Sequence, residues 1–254
     1  MNTTERIQRI TSWISHYAET NNIGSLVVGV SGGIDSAVVS TLCALTGKPT
    51  HVLSMPIRQK QDQHDKSVEH CLSLMNRYEN VYWETIDLTD AFESFEKLFT
   101  SDNGLAFANS RARLRMTTLY QVAQDRNGIV VGTGNKVEDF GVGFYTKYGD
   151  GGVDISPIAD CLKTEVWEMG KELDVRKEII DAAPTDGLWD DARTDEDQLG
   201  MTYPELEQAM KHSEQNTRPK DPKELKNLMK FLSMQQRAKH KMDPIPVCML
   251  GDEQ

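Results

Sequence analysis

Leu26-Val27-Val28-Gly29-Val30, followed at once by Ser31-Gly32-Gly33-Ile34-Asp35-Ser36, decides how this chain folds. The first five residues are an apolar, β-branched run with the length of a buried strand. A turn of small residues follows, and then Ile34, Ala37, Val38, Leu42 and Leu45 recur at helical spacing. A strand that enters a helix through glycines leaves backbone N–H groups facing outward at the positive end of the helix dipole. That is a place for an anion, and the two glycines let phosphate oxygens approach the backbone. Ser31 and Ser36 can add hydroxyl donors. A carboxylate beside a phosphate repels it unless a divalent cation sits between them, so Asp35 is read as a magnesium ligand. Alone, the same residues also describe an ordinary tight turn with an acid at a helix start.

Further strand signals lie near 50–55, 80–86 and 128–132, and helical periodicity fills 34–46, 61–77 and 104–126. Alternation of this kind predicts an α/β fold: a doubly wound parallel sheet with helices on both faces, Rossmann-like in arrangement. Ligands bind such sheets outside the carboxyl ends of the strands. Ser31–Ser36 and Gly132–Gly152 both leave strands at that edge, as does Ser54-Met55-Pro56, which could meet an adenine. Residues 132–154, glycine-rich and charged but carrying Phe140, Phe144, Tyr145 and Tyr148, are expected to form a long functional loop and not a helix. The stretch 163–236 reads as mostly helical, and the start of the chain as an amphipathic helix with Ile7, Ile10, Ile14 and Tyr17 on one side. Met229, Leu232 and Met234 are expected to pack a helix against its neighbours.

Composition excludes several classes. The chain has 254 residues and a formal charge of −11, with 38% hydrophobic and 26% charged residues. Binding a nucleic-acid backbone needs a basic face, which this balance does not offer. There is no run of eighteen or so apolar residues to span a membrane, and the first residues lack the apolar core of a signal peptide. Cys43, Cys71, Cys161 and Cys248 show no metal-binding spacing and are expected to be reduced thiols in a cytoplasmic protein. Asp186, Asp190, Asp191, Asp195, Glu196 and Asp197 are read as a solvated acidic surface.

The hexapeptide SGGIDS resembles the loop of the N-type ATP pyrophosphatase superfamily, whose members cleave ATP between its α and β phosphates and adenylate an acceptor. It is not a Walker A loop, which needs a lysine where Asp35 stands. Phe144-Tyr145-Thr146-Lys147-Tyr148-Gly149-Asp150-Gly151-Gly152-Val153-Asp154 is similar to a loop of NAD synthetases. Asn109-Ser110-Arg111-Ala112-Arg113-Leu114-Arg115-Met116 resembles that family's N-x-x-A-R-x-R-M helix. Asp154-Ile155-Ser156-Pro157-Ile158, Lys163-Thr164-Glu165-Val166, Ala183-Pro184-Thr185, Arg193-Thr194-Asp195-Glu196 and the closing His240-Lys241 fit the same family. The resemblance runs from about residue 25 to 241. It departs at Met242, where many relatives carry a basic residue.

The resemblance implies an ammonia-dependent NAD synthetase, a C–N ligase that amidates deamido-NAD through an acyl-adenylate and releases AMP and pyrophosphate. Gly29, Val30, Ser31, Gly32, Gly33, Ile34, Asp35 and Ser36, with Thr133, Lys163 and Thr185, match positions that contact ATP. Asp35 and Lys163 would carry the catalytic charge. Arg113, Lys147, Asp154, His240 and Lys241 match positions that bind the dinucleotide. Asp35 and Glu138 match magnesium ligands; by chemistry alone Asp139 is as good a ligand as Glu138. Asp150 is read as a turn former. The resemblance also implies a homodimer whose substrate site borrows from both subunits. About 24 residues precede the first strand, too few for a glutaminase domain, so a single domain over 1–254 using free ammonia is expected. A GMP-synthetase-like enzyme would share SGGIDS without the FYTKYGDGG loop, and a non-catalytic nucleotide-binding module would lack the second carboxylate and the substrate cations.

Overall fold

The computed structural model describes residues 1–59, 61–185 and 194–250. Helix α1 (Thr3–Thr20) opens with a capping box, in which Asn2 accepts from the Glu5 amide and Glu5 reaches back to the Asn2 amide. Strand β1 (Ser25–Gly29) leads through the small-residue turn into α2 (Ile34–Leu45). The chain continues through β2 (Thr50–Ser54), α3 (Gln61–Arg77), β3 (Val81–Thr85), α4 (Thr89–Glu96), α5 (Gly104–Asp125) and β4 (Gly128–Val130). A π-helical turn (Lys136–Val142) follows, then α6 (Lys163–Glu172), α7 (Lys177–Ile180), α8 (Asp195–Leu199), α9 (Tyr203–Glu214) and α10 (Pro222–Met242).

The four strands form one parallel sheet in the order β3-β2-β1-β4. The order reverses beside β1, so a crevice opens between the carboxyl ends of β1 and β4. A further parallel bridge, Val131 to Ile155, continues the β4 edge toward the site. Side chains alternate across the sheet, as a strand's period of two requires. Leu26 and Val28 meet α1, α2 and α6 on one face, while Val27, Leu53 and Val130 meet α4 and α5 on the other. On the first face α3 adds Cys71 and Leu74 over Val52. This is the doubly wound α/β arrangement the sequence predicts.

A separate apolar cluster joins α9, α10 and the π-helical turn through Val137, Val142, Tyr203, Leu206, Met210 and Phe231. It carries one side of the crevice. Here two expectations fail. Met229 and Leu232 are 65% and 40% exposed on the outer side of α10, and only Met234 packs inward. Those residues follow helical spacing, but the turn that faces the core carries Leu228 and Phe231 instead. The expectation that 132–154 holds no helix is also corrected. Asn135 accepts from the amides of Val137 and Glu138 and so starts the π-helical turn inside that stretch. Apolar contacts of Val137 and Val142 supply the stability that composition does not suggest.

Candidate active site

Gly33 is the N-cap of helix α2, and no side chain caps the helix there. Its first amides therefore face the crevice. Gly32 has φ of 89°, and a Cβ there would lie 2.8 Å from the Gln63 carbonyl oxygen. Glycine is required both by that conformation and by the closeness of α3. Ser36 Oγ donates to the Gly33 carbonyl at 3.0 Å and accepts from the Ser31 amide at 3.2 Å, folding the turn on itself.

At the crevice Lys163, the first residue of α6, is 2% exposed. Its Nζ donates to Asp35 Oδ2 at 2.5 Å and to Glu138 Oε1 at 2.9 Å. Asn135, fully buried, donates Nδ2 to Asp35 Oδ1 at 3.2 Å while its own oxygen caps the π-helical turn that carries Glu138. Tyr203, also fully buried, donates its hydroxyl to Glu138 Oε1 at 2.5 Å, and its ring lies 4.9 Å from the Lys163 ammonium. Four elements thus converge on two carboxylates.

Burial shifts these groups, and their neighbours oppose it. Asp35 is raised by burial and by Glu138, against the pull of Lys163. Glu138 is pushed up by burial but ends below its ordinary value, because Lys163 and the Tyr203 bond stabilise the carboxylate. Burial pulls Lys163 down, yet the two carboxylates hold it above the usual lysine range. Asp139 is raised well above the carboxylate range by burial and by the charges of Asp150, Glu138 and Asp35. Its carboxylate lies against Gly134, where a Cβ would come within 1.9 Å of Oδ2.

Two adjoining cavities share Ser31, Gln59, Thr133, Phe144 and Asp150. The smaller, about 240 Å³, is lined by Ser31 through Ser36 and by Glu138, Lys163 and Thr185. The larger, about 470 Å³, runs from Gly29 and Val30 past Met55, Met116, Leu119 and Val153. Met55 is on the wall of the larger cavity, and Arg115 Nε donates to its carbonyl at 3.0 Å. Burial and the neighbouring Arg111 lower Arg115 to about 10.

The sequence-predicted ATP residues therefore come together around one crevice. The acceptor residues do not. Lys241 lines the larger cavity and donates to the Gly143 and Tyr145 carbonyls. Arg113 and Lys147 lie outside both cavities. Arg113 Nε donates to the Lys147 carbonyl at 3.3 Å, and Lys147 Nζ to the His240 carbonyl at 2.8 Å. Asp154 accepts from Tyr120 at 3.1 Å and from the Val130 amide at 2.7 Å, bracing the end of β4. Asp150 accepts from the Thr146 amide at 2.9 Å, the expected turn role, and also faces both cavities. Asp195 is corrected: it is buried, 6% exposed, and lines the smaller cavity. As the first residue of α8 it turns inward from the acidic run, toward Tyr203. Asp186, Asp190 and Asp191 lie outside the described residues.

Asn135 and Tyr203 were missed by sequence reasoning. An asparagine two residues after Thr133 and three before Glu138 was a readable helix-start signal. The Tyr203 contact had none, since its partner lies 65 residues away.

The donor set fits a hard divalent cation. Asp35 and Glu138 converge on one positive charge, and among the described residues no group of three His, Cys, Asp or Glu forms an all-protein cage. Magnesium is bound in this way, by one or two carboxylates with water and phosphate oxygens completing the sphere.

The fold and site define an α/β protein of the adenine nucleotide hydrolase-like type, with the Ser31–Ser36 turn at the switch point of a parallel sheet. Within that class the chain belongs to the NAD synthase family, whose profile matches residues 6–244. It is 37% identical over 254 residues to the NH(3)-dependent NAD(+) synthetase of Alkaliphilus metalliredigens, covering 95% of this chain and 97% of that protein. The protein of the same name from Archaeoglobus fulgidus is 35% identical, with 99% of each chain covered. Among solved structures, an NMN synthetase from Francisella tularensis superposes with a TM-score of 0.85 at 35% identity, covering 98% of this chain and 99% of that one.

Proposed function

We propose that this chain is an ammonia-dependent NAD synthetase that activates the nicotinate carboxylate of deamido-NAD with ATP. The observation that carries the reading is the buried Asp35–Lys163–Glu138 group at the uncapped start of α2. The larger cavity takes the adenosine of ATP, between Met55 and the end of β1, and the smaller takes the triphosphate. Thr133 faces both, and Thr185 closes the far wall.

A carboxylate oxygen of the acceptor attacks the α-phosphorus, and the bond to the bridging oxygen breaks, releasing pyrophosphate. Ammonia then attacks the acyl carbon, AMP leaves with the former carboxylate oxygen that joined carbon to phosphorus, and the nitrogen loses a proton. Backbone amides of the Ser31–Ser36 turn orient the phosphates, so most of the catalysis is positioning and charge neutralisation. Asp35 and Glu138 would hold magnesium, which neutralises charge on the departing pyrophosphate when bound. Lys163 keeps the two carboxylates together and favours their charged forms against burial. Lys241, at the rim of the larger cavity, and the chain Arg113–Lys147–His240 beside it would receive the acceptor's phosphates and carboxylate. Because most of these residues stand outside both cavities, a second copy in a homodimer would complete the acceptor site.

Free ammonia as nitrogen source is supported by the NH(3)-dependent relatives, which this chain matches over nearly their full length. Residues 1–254 acting as one catalytic unit, with the cytoplasm as its compartment, belong to the same reading. Among the described residues no helix is long and apolar enough to cross a membrane. A second reading, amidation of nicotinate mononucleotide, draws on the relative named NMN synthetase. The test is AMP, pyrophosphate and amide formation from ATP, magnesium and ammonium with each acceptor in turn. The proposal expects the dinucleotide to have the higher kcat/KM and glutamine to replace ammonium poorly. A higher kcat/KM for the mononucleotide would transfer the assignment to the second reading.

A further inference from the structure

We infer that Lys66 binds the β,γ-pyrophosphate end of ATP, a role that rests on the use of ATP proposed above. Lys66 lies in the second turn of α3, against the phosphate turn itself: a Cβ on Gly32 would be 3.3 Å from Lys66 Cβ and 3.2 Å from the Ser67 amide. That contact is held in place. Ser67 Oγ donates to the Val30 carbonyl at 2.7 Å and lies 2.8 Å from Ser54 Oγ, pinning α3 to the ends of β1 and β2.

The smaller cavity is short of available positive charge. Asp35, Glu138, Asp139, Asp150 and Asp195 line it, against Lys66 and Lys163. Lys163 is already bonded to two carboxylates, so its charge is matched before any phosphate arrives. Lys66 has no ion pair among the described residues. Of the described lysines that line this cavity, it is the one whose ammonium is not committed to a protein carboxylate. A triphosphate entering beside the α2 amides meets it from the Gly32 side, away from the Asp35–Glu138 pair. When the bond from the α-phosphorus to the bridging oxygen breaks, pyrophosphate carries off the electron pair. Lys66 stabilises that charge by contact, with no proton transferred.

The test is calorimetric binding of magnesium ATP and of AMP to the full chain, carried through Lys66→Ala, Lys66→Arg and the surface variant Lys97→Ala. AMP lacks the end that Lys66 would touch. Lys66→Ala is expected to weaken ATP about tenfold, the loss of one charge-assisted contact, and to leave AMP unchanged. Lys66→Arg should keep most of the ATP affinity, and Lys97→Ala all of it. Inhibition by added pyrophosphate should weaken in parallel in Lys66→Ala. Equal loss for ATP and AMP, or no loss for either, overturns the inference. If wild type binds ATP in this Lys66-dependent way but amidates neither nicotinate acceptor, the acceptor assignment falls and Lys66 keeps its role. If wild type binds no ATP, both fall.

Discussion

The two halves of the site are built differently. On the phosphate side, Asp35, Asn135, Glu138, Lys163 and Tyr203 come from four elements and are locked by mutual hydrogen bonds in a buried network. On the acceptor side, Arg113, Lys147 and His240 meet through backbone carbonyls at the surface. The contrast teaches where preorganisation is needed. Phosphoryl chemistry depends on charges aimed at fixed points before substrate arrives, and that requires burial and paired partners. In the proposed function, acceptor recognition falls to long cations at an open edge, where a second surface can still contribute.

The largest effect should come from breaking the buried side at its centre. Lys163→Met leaves Asp35 and Glu138 facing one another without a cation, and removal of one partner from a buried charge group costs about 3–5 kcal/mol. Urea unfolding at neutral pH should show that loss, together with loss of NAD formation. A variant as stable as wild type would mean that the carboxylates are already matched by something other than Lys163.

The second test is pH. His70 on α3 is buried, lies 3.0 Å from Ser40 Oγ on α2, and is lowered to about 4 by burial and by Arg77. Its ordinary value is 6.5. Below that value the unfolded chain binds a proton that the folded chain refuses until about pH 4. Stability should therefore fall as pH drops through this window, by up to about 3 kcal/mol from this residue. His70→Gln should flatten the dependence, measured as the difference from wild type in urea melts between the two limits. An unchanged slope would show that His70 protonates freely in the native state.

Tyr203→Phe is a smaller cut into the same network. Losing its bond to Glu138 should cost about 1–2 kcal/mol of stability and raise the magnesium concentration needed for half-maximal activity, with KM for the acceptor little changed. A change in acceptor KM alone would place Tyr203 on the wrong side of the comparison. Arg113→Ala should have the smallest effect on stability, under about 0.5 kcal/mol for an exposed side chain. It should instead raise the acceptor KM several-fold and leave ATP binding as it was.

The halves also differ in how much of them the sequence discloses. β1, β2, β3 and β4 fall within a residue or two of their predicted places because short apolar runs bounded by turns have few alternatives. Ser31–Ser36 is legible for a similar reason: glycine, hydroxyl and acid in that order have a local meaning. Helix α4 was not anticipated, since its eight residues bury only Phe92. The π-helical turn was hidden by Gly141 and by its charges, and it exists through contacts with residues of α9 and α10 far along the chain. Asp195 looked solvated because its acidic neighbours do, and only the tertiary structure turns it toward Tyr203. The grouping of Asp35 with Glu138 followed from the family resemblance. The bonds of Lys163 to both and of Tyr203 to Glu138 depend on how the α6 and α9 segments pack, which no local pattern encodes.

The central claim is that the acceptor's carboxylate is adenylated at this site. The direct measurement uses deamido-NAD with both nicotinate carboxylate oxygens replaced by oxygen-18, together with ATP, magnesium and ammonium, and reads the products by mass spectrometry. One labelled oxygen is expected in AMP, one retained in the amide, and none in pyrophosphate. Label in pyrophosphate, or NAD formed with unlabelled AMP, would contradict an acyl-adenylate and with it the proposed chemistry of the Asp35–Lys163–Glu138 site.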